Sequence, residues 1–504
     1  MAKTAIVIGS GIAGIAAAIR LAKRGYTVSV FEANNYPGGK LSEIRLGAYR
    51  FDAGPSLFTL PALVDELFEL CGMNPADSFV YEQLDETCRY FFPDGIKLTA
   101  WADREKLKQE FLEKLNEPKE NVEAALNQSQ WLYSQLAPLF IEKSLHKPGT
   151  WLSTKAFAAY SRLHKFDFNR TMHEANSKRF ENEKTTQLFN RYATYNGSDP
   201  YQTPATLNII PHLEFGIGAY FPKGGMHSIT QTLYELAEKV GVRFYFNTTV
   251  QKIVVHNGTA KGIDTHMGFH KADRIVCNMD MVAAYRTLLK DQHQPKKLLN
   301  QPKSSSALIF YWGIKKSFPQ LGLHNIFFTS DYKREFEHIF DKGSLFKDPT
   351  VYVNITSVMN PSDAPSGCQN WFTMINVPNN QGQDWDYLIQ YARKAIINKL
   401  SENLGTNIES FIEEESVLDP RLIELKTSSV AGALYGNSSN NKFAAFLRHP
   451  NFSSKIRHLY FCGGSVHPGG GIPLCLSSAK TPKCVKKRTD AKSKCLIDTS
   501  VFYM

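Results

Sequence analysis

Three glycines and one acid near the start of the chain have the types and spacing needed to hold a dinucleotide. In Gly9-Ser10-Gly11-Ile12-Ala13-Gly14, the first glycine permits a tight turn and the second lets the backbone approach a pyrophosphate. The third lets a helix pack closely on a strand, with the phosphates at the helix N-terminus beside Ile12 and Ala13. Glu32, followed by Ala33, stands where an acid can hold ribose hydroxyls. Its charge repels a 2′-phosphate, which disfavours NADP and leaves NAD and FAD open.

The next residues decide between those two. Gly38, Gly39 and Lys40 add a second small-residue approach and a cation, as the flavoprotein extension of the fingerprint does. Phe51-Asp52-Ala53-Gly54-Pro55-Ser56 then supplies a turn suited to close backbone contact with a flat ring, with Gly54, Pro55 and Ser56 as the contact residues.

These residues need a scaffold, and the apolar patterning provides one. Thr4 to Ile8 is a β-branched run that predicts a strand, Ile15 to Lys23 a helix closed by Gly25, and Tyr26 to Phe31 a second strand ending at Glu32. Far downstream, Tyr234 to Val240 is helix-like, Val242 to Phe246 alternates like a strand, and Val250 to Val255 with Asn257-Gly258 reads as a hairpin. Ala272 to Met279 reads as a buried strand. Leu459 to Cys462 is a strand meeting Gly463 and Gly464, and Gly469 to Gly471 opens a helix at Ile472. That helix can aim amides at a flavin ring edge, where negative charge develops on reduction.

Five separated motifs carry a resemblance to the bacterial-type phytoene desaturases, a carotenoid desaturase branch of the amine-oxidase-like flavoproteins. They are Phe51 to Ser56; Arg191-Tyr192-Ala193-Thr194-Tyr195 with Gly197-Ser198-Asp199-Pro200; Pro222-Lys223-Gly224-Gly225-Met226; Asp348-Pro349-Thr350-Val351-Tyr352; and Gly463 to Pro473. The likeness covers residues 1 to 480. It implies an FAD-dependent enzyme with an α/β, Rossmann-like FAD-binding domain, an interleaved α+β substrate domain and a helical membrane-associating subdomain. The expected division gives the FAD-binding domain 1–85, 221–290 and 451–480, and the substrate domain 86–125, 186–220 and 291–450. Residues 126–185 form the helical subdomain and 481–504 an atypical basic tail. The resemblance also assigns Val250 to the adenine, and Gly464, Ser465, Gly471 and Ile472 to the flavin. Ordinary sheet structure is the alternative for Val250.

The chemistry implied is removal of a hydride and a proton from adjacent carbons of a polyene, with FAD taking the hydride. Conjugation spreads the developing charge, so a strong protein base is less necessary, and the sequence identifies no catalytic acid or base. His467, beside Pro468 in a Gly-rich loop, fits loop orientation as well as catalysis, and the resemblance implies a position near a substrate tunnel for His212 and Glu214, with their role open. The wording Gly464 to Leu474, with Gly432 to Gly436 and Ser438-Ser439-Asn440, is similar to hydroxycarotenoid 3,4-desaturases. The expected substrate is therefore a hydroxylated carotene such as a γ-carotene derivative. Phytoene desaturation, carotene isomerisation and a retinol-saturase-like reaction remain the alternatives, and quinone or oxygen is the expected electron acceptor.

Composition bounds the rest. The 504 residues are 43% hydrophobic with a net charge of +10, enough apolar content for a large core. The eight cysteines are scattered, without C-x-x-C pairs or metal-ligand spacing, so free thiols and no metal are expected. Met1 to Gly9 runs straight into the first strand pattern, and no stretch reaches the roughly 18 apolar residues of a spanning helix. Residues 131 to 170 carry eight aromatics and six Lys/Arg against two acids, a mixture suited to a lipid headgroup interface. The expected location is cytoplasmic, peripheral to the inner face of the cell membrane. Nucleic acid is excluded as a partner because no binding module's motifs are present. Thr481-Pro482 predicts that the helix from Ile472 stops after about two turns. The basic segment beyond it has no apolar period to seat it on a core.

Overall fold

The structure is a computed structural model that describes residues 2–140, 144–147, 150, 166–441 and 448–480. A five-stranded parallel sheet lies under the glycine turn. Its order is Leu459–Phe461, Arg274–Cys277, Lys3–Ile8, Tyr26–Phe31 and Arg243–Tyr245. Ala5 to Ile8 pair with Arg274 to Cys277 on one side, and Lys3 to Ile8 with Tyr26 to Phe31 on the other. The central strand is thus sandwiched by neighbours, and its Ala-Ile-Val-Ile end is fully buried, as an apolar run without alternation requires in a covered parallel sheet.

The first helix spans Ile12–Ala22, starting three residues earlier than the apolar periodicity places it. The Ile15 amide already donates to the Gly11 carbonyl at 3.0 Å, so the last residues of the glycine motif form the first helical turn. Every residue from Ile12 to Leu21 is buried, because the helix packs on the sheet and against Ala62–Cys71, His227–Lys239 and Ile472–Ser478. Small side chains at Ala16, Ala17 and Ala18 permit that crowding. Arg20 is the one charged residue in this helix, and it is buried with its guanidinium on Glu66 at 3.1 Å. Lys480 closes on the same carboxylate.

The expected hairpin is present as Val250–His256 and Thr259–Thr265, extended by Gly268–Lys271. The downstream strands are shorter than the sequence pattern, at Arg243–Tyr245 and Arg274–Cys277, since only these residues find ladder partners. A second, seven-stranded sheet is ordered Ile412–Leu418, Ser306–Ile314, Gln369–Val377, Val351–Asn354, His324–Phe327, Glu86–Phe91 and Lys97–Trp101. Its pairings are antiparallel except that of His324–Phe327 with Glu86–Phe91. Trp312 and Trp371 are fully buried between this sheet and the helix Trp385–Leu404.

The helix Lys119–Phe140 runs across the expected boundary at 125/126. Its buried side chains Val122, Ala125 and Leu126 join one core with Leu107 and Phe111. Much of 131–170 and all of the 481–504 tail lie outside the described residues. The last described helix, Ile472–Ser478, is two turns long, as Thr481-Pro482 predicts. No helix of the described residues is long and apolar enough to cross a membrane.

Candidate functional site

Steric demands at the glycine turn show how closely its backbone is approached. A β-carbon on Gly14 would overlap the Gly9 carbonyl oxygen, and one on Gly11 would sit 2.7 Å from the Asn278 side-chain nitrogen. Gly38 has φ of +99° and donates its amide to the Ser10 carbonyl at 2.8 Å, which lays the second glycine pair against the first turn. Gly54 in turn packs so tightly on the Lys40 carbonyl that any side chain would overlap it. Three segments separate in sequence are therefore stacked backbone to backbone.

Glu32 is buried and both of its carboxylate oxygens are engaged. Ser10 donates its amide (2.7 Å) and hydroxyl (2.9 Å) to Oε2, and Asn34 donates its amide (2.9 Å) and side-chain nitrogen (3.0 Å) to Oε1. The acid thus ties the end of the second strand to the glycine turn while facing the cavity. Lys40 is held by the Leu434 carbonyl at 2.9 Å. Burial pushes its ammonium pKa down, and Asp280 partly restores it.

One cavity of about 950 Å³ joins these parts. The residues predicted to contact the cofactor in the first turn, around Glu32, at Gly38 to Lys40 and at Gly54 to Ser56 all line it, except Gly14. Val250, Gly464, Ser465, Gly471 and Ile472 line it from the far end of the chain. Gly14 lies behind the turn, where its role is packing of helix on strand. The Ser465 hydroxyl accepts the Met281 amide at 2.8 Å, and Gly471 caps the final helix with φ of +96°.

The three residues weighed for acid, base or tunnel roles are placed differently. His467 is buried with its ring 5.2 Å from that of Phe140, and its carbonyl accepts from Asn451 at 2.6 Å, which fits an orienting role in the loop. His212 donates its amide to Ser129 at 2.8 Å and packs its ring 5.0 Å from Tyr133. Burial pushes its imidazole down to about 4, with Arg104 adding to the shift. Neither histidine lines the cavity, nor does Glu214, which accepts the Tyr195 hydroxyl at 2.7 Å.

Sequence inspection missed three cavity residues. Asn278 follows the strand Arg274–Cys277 and reaches under the glycine turn; the parallel pairing of that strand with Lys3–Ile8 is the signal that could have found it. Asp280 caps the helix Met281–Thr287 by accepting two of its amides. Arg448 is 2% exposed and donates to the carbonyls of Tyr435 (2.8 Å), Gly464 (3.1 Å) and Asn437 (3.2 Å) and to the Asn196 side chain (3.2 Å). Burial lowers its pKa to about 10. No local pattern marks this arginine, because its partners are scattered over more than two hundred residues.

This geometry meets known proteins at several levels. A family model described as flavin containing amine oxidoreductase matches residues 12–481. The 1-hydroxycarotenoid 3,4-desaturase of a Flavobacterium species is 54% identical, covering 97% of this chain and 100% of that protein. Phytoene desaturase of Phycomyces blakesleeanus is 31% identical over 95% of this chain and 84% of its own length. Among solved structures, an oxidoreductase from Methanosarcina mazei superposes with a TM-score of 0.60 at 15% identity, covering 95% of this chain and 99% of that one. That last likeness is one of fold.

Proposed function

The chain belongs to the flavin containing amine oxidoreductase family and is an FAD-dependent oxidoreductase, and from that premise we propose that it desaturates a hydroxylated carotene at the 3,4 position. The observation carrying this reading is the continuity of the cavity. The space bounded by the dinucleotide glycines extends without a break between apolar walls that include Leu136, Leu213, Ile309 and Phe372, as a long polyene beside a flavin requires. The relative that is 54% identical, a 1-hydroxycarotenoid 3,4-desaturase, supports the choice of bond.

FAD, when bound, supplies the acceptor for the hydride removed from carbon. The chain's own residues then have three tasks. Gly9 to Ala13, Glu32, Ala33 and Gly38 to Lys40 hold the dinucleotide, with Val250 at its adenine end. Gly54 to Ser56, with Gly464, Ser465, Gly471 and Ile472, fix the ring. The apolar walls orient the polyene and exclude water from the reacting bond.

We read 1–85, 221–290 and 451–480 as the FAD-binding domain on the support of the parallel sheet, which draws strands from each part. The aromatic and cationic composition of 131–170 supports docking on the inner face of the cell membrane, where the substrate dissolves and a quinone can reoxidise the flavin.

Expression in a carotenoid-producing host followed by pigment mass analysis tests the function. The product is expected to be lighter than its precursor by two hydrogens. An isomer of unchanged mass would replace desaturation with isomerisation, and unaltered pigment across hydroxylated and plain precursors would end the enzymatic reading.

Two further results are expected of the cofactor site. The chain offers a cradle but no motif for covalent attachment, so acid precipitation should release the flavin into the supernatant; yellow colour retained in the pellet would contradict this. Replacing Glu32 by Ala removes the acceptor of four hydrogen bonds and should weaken FAD binding by about 1–3 kcal/mol. A dissociation constant equal to that of the unaltered protein would show that Glu32 has been given the wrong role.

A further inference from the structure

One stretch of the cavity wall is polar, and hydrocarbon gives it nothing to bind. Arg191, 5% exposed, stacks its guanidinium over the rings of Tyr90, Tyr192 and Tyr195 at 5.3, 4.5 and 5.0 Å. It donates to the Tyr90 hydroxyl at 2.6 Å and to the Tyr195 hydroxyl at 2.9 Å. Tyr195 donates its own hydroxyl to Glu214 at 2.7 Å, and Glu214 lies 3.7 Å from the guanidinium. Beside this group, the Tyr352 hydroxyl bridges His324 Nδ1 and the Ser56 hydroxyl, each at 2.7 Å.

Arg191, Tyr195, His324 and Tyr352 all line the cavity. Tyr195 and Tyr352 are only half-buried although they stand deep in the fold, so their free surface faces the cavity. The cluster does not satisfy itself. Arg191 Nε and Glu214 Oε1 have no hydrogen-bond partner among the described residues, and buried polar groups of this kind are ordinarily paired. A hydroxyl oxygen carries two lone pairs. On Tyr195 one receives the Arg191 proton, which leaves the other to accept a proton from a ligand.

The position of the cluster matters as much as its polarity. Ser56, bonded to Tyr352, belongs to the turn that packs on Lys40 and, through Gly38, on the first glycine turn. The polar wall is therefore adjacent to the ring end of the cofactor site. In a 1-hydroxylated carotene the oxygen is three bonds from C3, a span of no more than about 4 Å at ~1.5 Å per bond. A group that grips the hydroxyl next to the ring necessarily brings the 3,4 bond to it.

We propose that Tyr195 and Tyr352, backed by Arg191, Glu214 and His324, form a hydroxyl-recognition site that selects hydroxylated carotenes and sets which bond is dehydrogenated. The proposal rests on the desaturase reading above and deepens it. The oxygen of the substrate is read by hydrogen bonds, and a plain hydrocarbon is disfavoured because it has no hydroxyl to donate to the open lone pair of Tyr195.

Flavin-loaded protein in detergent micelles tests this with a 1-hydroxylated linear carotene, its 1-methyl ether and the parent hydrocarbon, each titrated by the change in flavin fluorescence. The unaltered protein should bind the alcohol about tenfold more tightly than the hydrocarbon, with the ether, which cannot donate, close to the hydrocarbon. Tyr195→Phe, which keeps the ring contacts, should bring that ratio close to one while flavin content holds, although the melting temperature should fall because Arg191 and Glu214 each lose a hydrogen bond. A purely structural cluster would weaken all three ligands alike. Should Tyr195→Phe fail to fold, Tyr352→Phe and the ligand series on unaltered protein give the same reading. Equal affinities for alcohol and hydrocarbon in the unaltered protein overturn the proposal, as does a preference that survives both variants. Preference for the alcohol without any desaturated product would instead leave the site standing and defeat the desaturase reading.

Discussion

Gly14→Ala is expected to yield protein that holds no flavin. The added carbon would overlap the Gly9 carbonyl oxygen and press on Asn278 at 3.0–3.2 Å. The obstructing oxygen is backbone, so no side-chain rotation relieves it. Either the first helix lifts from the central strand or the glycine turn opens, and both displace Gly9 and Gly11 from the dinucleotide. Overpacking a well-filled core costs about 1–3 kcal/mol, and the cost here should reach at least the top of that range because the helix is buried along its whole length. Flavin absorbance per mole of purified protein is the measurement. A soluble variant with full flavin content would show that the turn has slack which the structure does not give it.

Arg50→Met should be the most damaging change outside the cofactor site. Arg50 donates to Asp52 at 2.7 Å, Asp363 at 3.3 Å and Glu43 at 2.9 Å, and the Asp52 and Asp363 side chains are each only 1% exposed. Removing the cation leaves two buried carboxylates facing one another without their countercharge, a loss of about 3–5 kcal/mol. Asp52 also accepts the amides of Met226 and His227 at 2.8 Å, so the damage would spread to the Pro222 to Met226 turn. The midpoint and slope of urea unfolding report the effect. Changing Asp363 to Asn as well should recover part of the loss, and a loss below about 1 kcal/mol in the single variant would mean the carboxylates are relieved by another route.

That network shows where sequence reading reaches and where it stops. The glycine turn, Glu32, Gly38 to Lys40 and Gly54 to Ser56 were legible because their chemistry is local: a turn, a cap or a close backbone approach is specified within a few residues. Asp52 stands inside a recognised motif, yet its task was hidden, since Arg50 is two residues away and Asp363 more than three hundred. Arg448 escaped for the same reason, and Arg191, Tyr195 and Tyr352, although they stand in recognised motifs, gave no sign that they meet one another. Buried charge acquires its meaning from partners, and here the partners come from distant strands and loops. The early start of the first helix has a different cause: Ala13 and Gly14 follow Ile12 and give apolar periodicity too little to register in the first turn. The paired strands Val250–His256 and Thr259–Thr265 were legible because Asn257-Gly258 marks a tight hairpin.

The parallel sheet has a temporal consequence. Its central strand, Lys3–Ile8, leaves the ribosome some 270 residues ahead of its neighbour Arg274–Cys277 and about 450 residues ahead of the edge strand Leu459–Phe461. At about 5–20 residues per second, roughly 20 to 90 s separate the first strand from the last. During that interval the helix Ile12–Ala22, apolar but for Arg20, has no completed surface to cover it. The nascent chain must keep it from other hydrophobic partners. Cofactor uptake must then wait until Leu459–Phe461 has joined the sheet and brought Gly463 and Gly464 to the cavity.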